Sequence, residues 1–351
     1  MSYQCYDDIK GQAGAWRAAL AAVDERIEAV RALAGDPPED LLFTSCGSPY
    51  FLGLANAALW REKLGVNVTV FPSSEAMLFP EATFPRGGNP LLLSASRSGE
   101  TTETIRAVEA FSERFPGRTV LIGCKPGSSL DRMADVSVMI PEAYEDVIPQ
   151  TRSFCSMYLA AQYLAALLAG DAELVEALRR LPELLPDLFE HWEPEVRRVA
   201  EAGWEYAVFL GGGPLYGVAT EATLKLLEMS LSRAASYHTL EVRHGPRSVV
   251  DESTLIVGLL SRRGERHEDQ VLSELAETAR PFVLALSPGE VSMLGEAVTR
   301  IPAGGNLPEH ALGLLYLPLL QLLAYHRALH RGVNPDESRN LVSYIELPEG
   351  G

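Results

Sequence analysis

Hydrophobic and polar positions along this chain follow two periods, and the switches between them mark out strands and helices. From about Ile9 to Ala34, Trp16, Leu20, Val23, Ile27, Val30 and Leu33 recur at helical spacing, and Asp36-Pro37-Pro38 is a stop signal. Leu41-Leu42-Phe43-Thr44 is a short apolar run that reads as a buried strand, followed by a helical pattern from Phe51 to Leu64. Val66, Val68 and Val70 alternate with Asn67 and Thr69, as on a half-buried strand. Then come an apolar strand through Leu91-Leu92-Leu93, a helix from Ile105 to about Arg114, strands at Thr119–Ile122 and Val136–Ile140, and a helix over Thr151–Leu168. Strands alternating with helices predict a parallel sheet with helices on both faces, and such sheets bind ligands at the carboxyl ends of their strands.

Asp171 to about Ala202 keeps helical periodicity despite Pro182 and Pro186, which reads as a helical linker. Beyond it the pattern repeats. Tyr206–Tyr216 resembles Leu41–Tyr50, Leu255–Glu265 resembles Leu91–Glu100, and Pro281–Gly289 resembles Arg118–Gly127. Gly47 and Gly212 are 165 positions apart, Gly99 and Gly264 also 165, and Gly127 and Gly289 162. A near-constant offset across three turns predicts two copies of one α/β unit. Ala311–Tyr325 is the most apolar long stretch; it is short for a bilayer and Pro318 interrupts it, so a buried helix is expected.

Composition changes this picture little, and charge narrows it. The 351 residues carry 47% apolar side chains, a net charge of −17 and a pI near 4.9. Such acidity argues against nucleic acid and anionic membranes as partners. The four cysteines, Cys5, Cys46, Cys124 and Cys155, form no CxxC pair and no zinc spacing with histidine. Scattered cysteines and an acidic start without a signal-peptide pattern lead to the expectation of a cytoplasmic protein; with no zinc spacing, no metal is expected, and no cofactor is expected either.

The chemistry concentrates in Ser94-Ala95-Ser96-Arg97-Ser98-Gly99-Glu100-Thr101-Thr102-Glu103-Thr104, between a predicted strand and a predicted helix. Free amides at a helix start, the helix dipole and several hydroxyls make a phosphate cradle, Gly99 allows close backbone approach, and Arg97 could add charge. The bland alternative is that these hydroxyls only cap a helix. The turn Ser45-Cys46-Gly47-Ser48 lies at the end of another predicted strand. The second copy keeps Arg262, Gly264 and Glu265 but not the hydroxyl set, so one cradle per chain is expected. Glu221, Lys225 and Glu228 are spaced i, i+4, i+7, on one helix face. The apolar Leu224, Leu226, Leu227 and Met229 around them favour a buried charged stripe over an exposed one. His244 precedes Gly245-Pro246, a turn signal, and loop histidines are good site candidates; His238 is a nearby competitor.

Cys46-Gly47-Ser48, Ser96–Thr101, Thr151-Arg152-Ser153-Phe154, Glu221–Glu228 and His244-Gly245-Pro246 together resemble the sugar isomerase (SIS) domain family. Within it the chain is most similar to the isomerase half of glucosamine-6-phosphate synthase and related aminosugar-phosphate isomerases, deaminases and deglycases. The resemblance runs from about Leu41 to Glu346. It implies two tandem SIS domains, each a flavodoxin- or Rossmann-like parallel sheet flanked by helices: residues 37–170 and 204–330. An N-terminal helix (1–36), the linker (171–203) and a tail near the active site (331–351) complete the chain. By position, it implies that Cys46, Gly47, Ser48, Ser96, Ser98 and Thr101 line the phosphate site, with Arg97 where the synthase has glutamine. Glu228 would be the base moving a proton between C1 and C2, His244 would help open the ring, and Lys225 and Glu221 would line the site. Loop side chains such as Gln150 would read the sugar.

Two departures follow. No glutaminase domain is expected, and Ser343 stands where the synthase has an imine-forming lysine. The resemblance therefore implies an isomerase or an aminosugar-6-phosphate deaminase, with a fructosamine-6-phosphate deglycase or a non-catalytic sugar-phosphate sensor as alternatives. An etherase acting on a cell-wall sugar shares the cradle, but normally on a single domain. A sensor that regulates transcription would usually carry a helix-turn-helix, and residues 1–40 offer one helix and net acidity. The family also implies a homodimer whose histidine reaches the neighbouring subunit's site.

Overall fold

A computed structural model describes residues 3–35, 38, 40–279, 282–289 and 298–348. Met1, Ser2, the stop signal at Asp36-Pro37 and the strand start at Pro281 lie outside the described residues. The elements in order are α1 (Gln4–Lys10), α2 (Gln12–Ala34), β1 (Asp40–Ser45), α3 (Ser48–Leu64), β2 (Asn67–Pro72), α4 (Ser73–Leu78), α5 (Pro80–Thr83) and β3 (Leu91–Ser96). Then follow α6 (Thr102–Arg114), β4 (Thr119–Gly123), α7 (Ser129–Met133), β5 (Val136–Met139), α8 (Arg152–Ala169) and α9 (Ala172–Ala200). The last are β6 (Tyr206–Gly211), α10 (Pro214–Ser230), β7 (Arg233–His238), β8 (Thr254–Leu259), α11 (Glu265–Ala276), β9 (Val283–Leu286), β10 (Val298–Ile301) and α12 (Leu312–His330).

Two five-stranded parallel sheets result. The first has order β2-β1-β3-β4-β5; the second, read from its β7 edge, has order β7-β6-β8-β9-β10. The two orders are the same, and the corresponding helices α3 and α10 both have 17 residues. In each sheet the chain reverses its direction of travel between two neighbouring strands, β1 and β3 or β6 and β8. That reversal leaves a crevice at the carboxyl ends of those strands.

The chain divides into two compact units. One comprises the described residues within Gly11–Pro182 and Leu341–Gly351 and holds the first sheet; the other comprises those within Met1–Lys10 and Glu183–Asn340 and holds the second. The inner strands β1, β3, β4, β6, β8 and β9 are buried, whereas the edge strands β2 and β7 are partly exposed. In the first unit, Phe111 and Val108 of α6 pack on Leu42, Leu92 and Leu121, with Phe84 edge-on to both Phe111 and Phe71. In the second, Val271 and Leu272 of α11 pack on Val208, Ile256 and Ala285.

Three sequence expectations change in detail. The single helix expected from Ile9 breaks at Gly11, a poor helix former, and its two pieces belong to different units. The segment read as a linker is one helix of 29 residues, α9, continuous through Pro182, Pro186 and Pro194; Leu178, Leu181 and Leu185 bury one stripe of it. The helix after β1 starts at Ser48, three residues earlier than Phe51, with Pro49 in its first turn. The apolar helix α12 is long enough and apolar enough to cross a membrane, yet 94% of that stretch is buried inside the protein, which marks a core helix.

Candidate functional site

The crevice between β1 and β3 holds the hydroxyl-rich turn. β3 delivers Ser96, α6 starts at Thr102, and the turn between them needs the left-handed backbone of Gly99, at φ 68°. The Gly99 N–H donates to Ser96 Oγ (2.9 Å) and the Glu100 N–H to Ser98 Oγ (3.3 Å). Each hydroxyl oxygen thus accepts from an amide, while its own proton stays available for an anion. Glu100 turns away, its carboxylate accepting the Ser129 N–H (3.2 Å).

Ser96, Ser98, Thr101 and Thr104 line a small enclosed cavity of about 20 Å³ with Cys46, Gln150 and Ser343. Among the described residues, Arg97 is the one charged residue in that lining. Ser48 is buried at the first position of α3, between the lining residues Cys46 and Pro49. The structure therefore gathers Cys46, Ser96, Arg97, Ser98, Thr101, Gln150 and Ser343 at one place although they span 298 positions of sequence (46 to 343). Burial pushes the Cys46 thiol above its ordinary range despite hydrogen bonds from Thr104 and Ser73, so the thiol stays protonated.

Arg97 has partners that its position in the turn does not suggest. Its guanidinium donates to the backbone carbonyls of Val147, Ile148 (3.1 Å) and Ser343 (3.2 Å). It holds the 144–150 loop and the C-terminal tail against the cradle. The tail is also tied to the start of α6: the Thr102 N–H donates to Ile345 O (3.1 Å), and the Leu347 N–H donates to Thr102 Oγ1 (3.1 Å). A space of 20 Å³ suits one water molecule.

Two contributors escape the sequence reading. Glu145 is buried and accepts from the N–H groups of Thr151 (2.8 Å), Arg152 (3.1 Å) and Ser153 (3.1 Å) and from both hydroxyls there, pinning the loop that carries Gln150 to the start of α8. Thr104, whose hydroxyl reaches Cys46 Sγ (3.5 Å), lies one helical turn beyond Thr101, a spacing that would have placed it on the same face.

The second cluster lies on α10, in the other unit. Lys225 Nζ sits 2.5 Å from Glu228 Oε2 and 3.4 Å from Glu221 Oε1, and the side chains of Lys225, Glu221 and Glu228 are 0%, 0% and 13% exposed. The stripe is buried, as the apolar residues around it suggested. Of the three, Glu228 alone keeps access to solvent. His244 is exposed on its loop. Beside it Arg243 makes two bonds to Glu274 of α11 (3.0 and 2.7 Å), so the loop is anchored at its base. The competing His238 is stacked on Tyr216, ring centroids 3.8 Å apart.

Comparison with known proteins places these features. Residues 38–167 match the family model described as SIS domain. Over 323 residues the chain is 30% identical to glutamine–fructose-6-phosphate aminotransferase [isomerizing] of Vibrio cholerae serotype O1, covering 88% of this chain and 52% of that protein. The chain thus spans about half the length of the curated relatives it matches. The crystal structure of glucosamine-6-phosphate deaminase from Thermotoga maritima is similar at 25% identity and a TM-score of 0.74, covering 94% of this chain and 100% of that one. Tagatose-6-phosphate ketose/aldose isomerase from Escherichia coli shares the fold at 23% identity and a TM-score of 0.84, covering 98% and 97%.

Proposed function

Because this chain belongs to the SIS domain family, we propose that it converts a sugar phosphate, as an aldose–ketose isomerase or as a deaminase of an aminosugar 6-phosphate of the glucosamine-6-phosphate type. The observation that carries this reading is the cavity at the β1/β3 crevice: among the described residues its lining has five hydroxyl side chains (Ser96, Ser98, Thr101, Thr104 and Ser343), one arginine and no carboxylate. That is the donor set an anionic phosphate needs. The matching strand order of the second sheet supports a second SIS-like half.

In this proposal Ser96, Ser98, Thr101 and Ser48 hold the phosphate and Gln150 faces the sugar. His244 assists ring opening. Glu228 takes the C2 proton of the open-chain aldose and returns it to C1, while Lys225 fixes its carboxylate and Glu221 braces Lys225. Where C2 carries an amine, this transfer gives a C2 imine, and water converts the imine to the ketose with release of ammonia. Among the described residues no lysine lines the cavity, and Ser343 is present there, which supports isomerisation or deamination over chemistry through a lysine imine. The test is turnover of a panel of hexose and aminohexose 6-phosphates, read as ketose formed and ammonia released. Glucosamine 6-phosphate is expected to give both. Binding by thermal shift without any turnover across the panel overturns the enzymatic reading in favour of a sensor.

The exposure of His244 supports a homodimer in which this histidine completes the partner's site, since a two-fold axis makes one contact twice. Mixing a Ser98→Ala chain with a His244→Ala chain, each nearly inactive alone, is then expected to restore activity toward half of wild type per heterodimer. One of its sites carries both defects and the other neither. No recovery, with subunit exchange confirmed by mass, assigns His244 to its own subunit's site.

A further inference from the structure

The second unit repeats the cradle, and the repeat is occupied. Its turn reads Ser261-Arg262-Arg263-Gly264-Glu265 against Ser96-Arg97-Ser98-Gly99-Glu100. It follows β8 and flanks the β6/β8 crevice, the counterpart of the β1/β3 crevice. Two features of the first cradle recur. The Gly264 N–H donates to Ser261 Oγ at 2.8 Å, as Gly99 does to Ser96 at 2.9 Å. Arg262 donates to the carbonyls of Leu307 (2.8 Å) and Gly305 in the loop before α12, as Arg97 does in the loop before α8. The shell of an anion site has therefore persisted in a half that lost Ser98 and Thr101, whose places are taken by Arg263 and Arg266.

What fills the shell is the carboxylate of Glu268, from the first turn of α11 and 3% exposed; the first half has a glutamate at the equivalent position, Glu103, but it is not in the lining of the first cavity. It accepts the Ser261 N–H (2.7 Å) and lies 3.0 and 3.1 Å from the Ser261 hydroxyl. Both glycine turns close on it: a Cβ on Gly212 would stand 2.9 Å from Glu268 Oε1, and one on Gly264 2.8 Å. Among the described residues no lysine, arginine or histidine pairs with it, so amide and hydroxyl donors hold the anion, as they would a phosphate. Burial, with Glu309 and Asp269 nearby, pushes this carboxyl up to about 7.

We propose that Glu268 is a built-in substitute for a phosphate: it occupies the anion cradle of the second half and thereby restricts sugar-phosphate binding to the first. A second anion site lies latent beneath this one side chain. This rests on the reading of the first cradle as a phosphate site.

Equilibrium dialysis with labelled inorganic phosphate tests it by counting anions per chain. Wild type is expected to bind one, Glu268→Ser two, and Glu268→Ser with Ser98→Ala one. Glu268→Gln, which keeps an acceptor in the same space, is expected to stay at one. A folded Glu268→Ser protein that binds no more phosphate than wild type overturns the proposal and leaves Glu268 as a local helix cap. Should wild type bind none, the first-half reading fails by itself, and a gain from none to one in Glu268→Ser still supports the latent cradle. If Glu268→Ser is too unstable to dialyse, its melting temperature decides. Phosphate should raise it more than it raises that of wild type, because the ion replaces the missing carboxylate; equal shifts overturn the proposal.

Discussion

Glu228→Gln is expected to lower kcat roughly 100-fold or more while sugar-phosphate binding persists. Glutamine matches glutamate in shape and fills the same space, but its amide cannot accept the C2 proton. A hundredfold loss corresponds to about 2.7 kcal/mol of barrier. The change also removes one of the two carboxylates around the buried Lys225, leaving the longer contact to Glu221 at 3.4 Å. The discriminating measurement is exchange of the substrate C2 proton with deuterated solvent, which should fall in step with kcat. Exchange and turnover at wild-type rates would move the base role to Glu221, fully buried beside Lys225, or to Glu241, exposed near His244.

Gly99→Ala is expected to damage the cradle at its hinge. A non-glycine residue in the left-handed region costs about 1–2 kcal/mol from its own backbone. Here the new Cβ would also lie 2.1 Å from Ser128 Oγ, an impossible approach, and Ser128 caps α7 through the Asp131 N–H (3.4 Å). Either the cap or the turn must move. Displacement of the turn by about 1 Å misplaces the Ser96 and Ser98 hydroxyls together and is expected to reduce kcat/KM on the order of 100-fold. A lower Tm with a raised KM is the expected pair of results. An unchanged KM would show that the phosphate is held elsewhere.

The cradle was legible because all its parts are local. Ser96, Ser98, Gly99 and Thr101 lie within six positions, and a strand–turn–helix pattern orients them whatever the rest of the chain does. The charged stripe was legible for a similar reason: helical spacing puts Glu221, Lys225 and Glu228 on one face, and apolar neighbours bury it. Arg97 was legible as a charge near the cradle but not as a latch, because its acceptors lie about 50 and 246 positions away and are backbone carbonyls. Carbonyls carry no side-chain signature. Glu268 was hidden differently. The loss of the hydroxyls from the second turn could be read, but a glutamate in a helix's first turn looks like any capping acid.

By itself, then, the sequence determined the two α/β copies, the hydroxyl turn, the charged helix face and the buried α12, since periodicity, turn residues and repeat offset act over short distances. Tertiary structure alone decided the strand order that opens a crevice between β1 and β3, and the break at Gly11 that assigns α1 and α2 to different units. It also decided the closure of the cradle by the 144–150 loop and the 341–348 tail, and the occupant of the second cradle. These depend on which distant backbone donors and acceptors meet once apolar faces have packed, and hydrophobic patterning constrains the packing without naming those pairs.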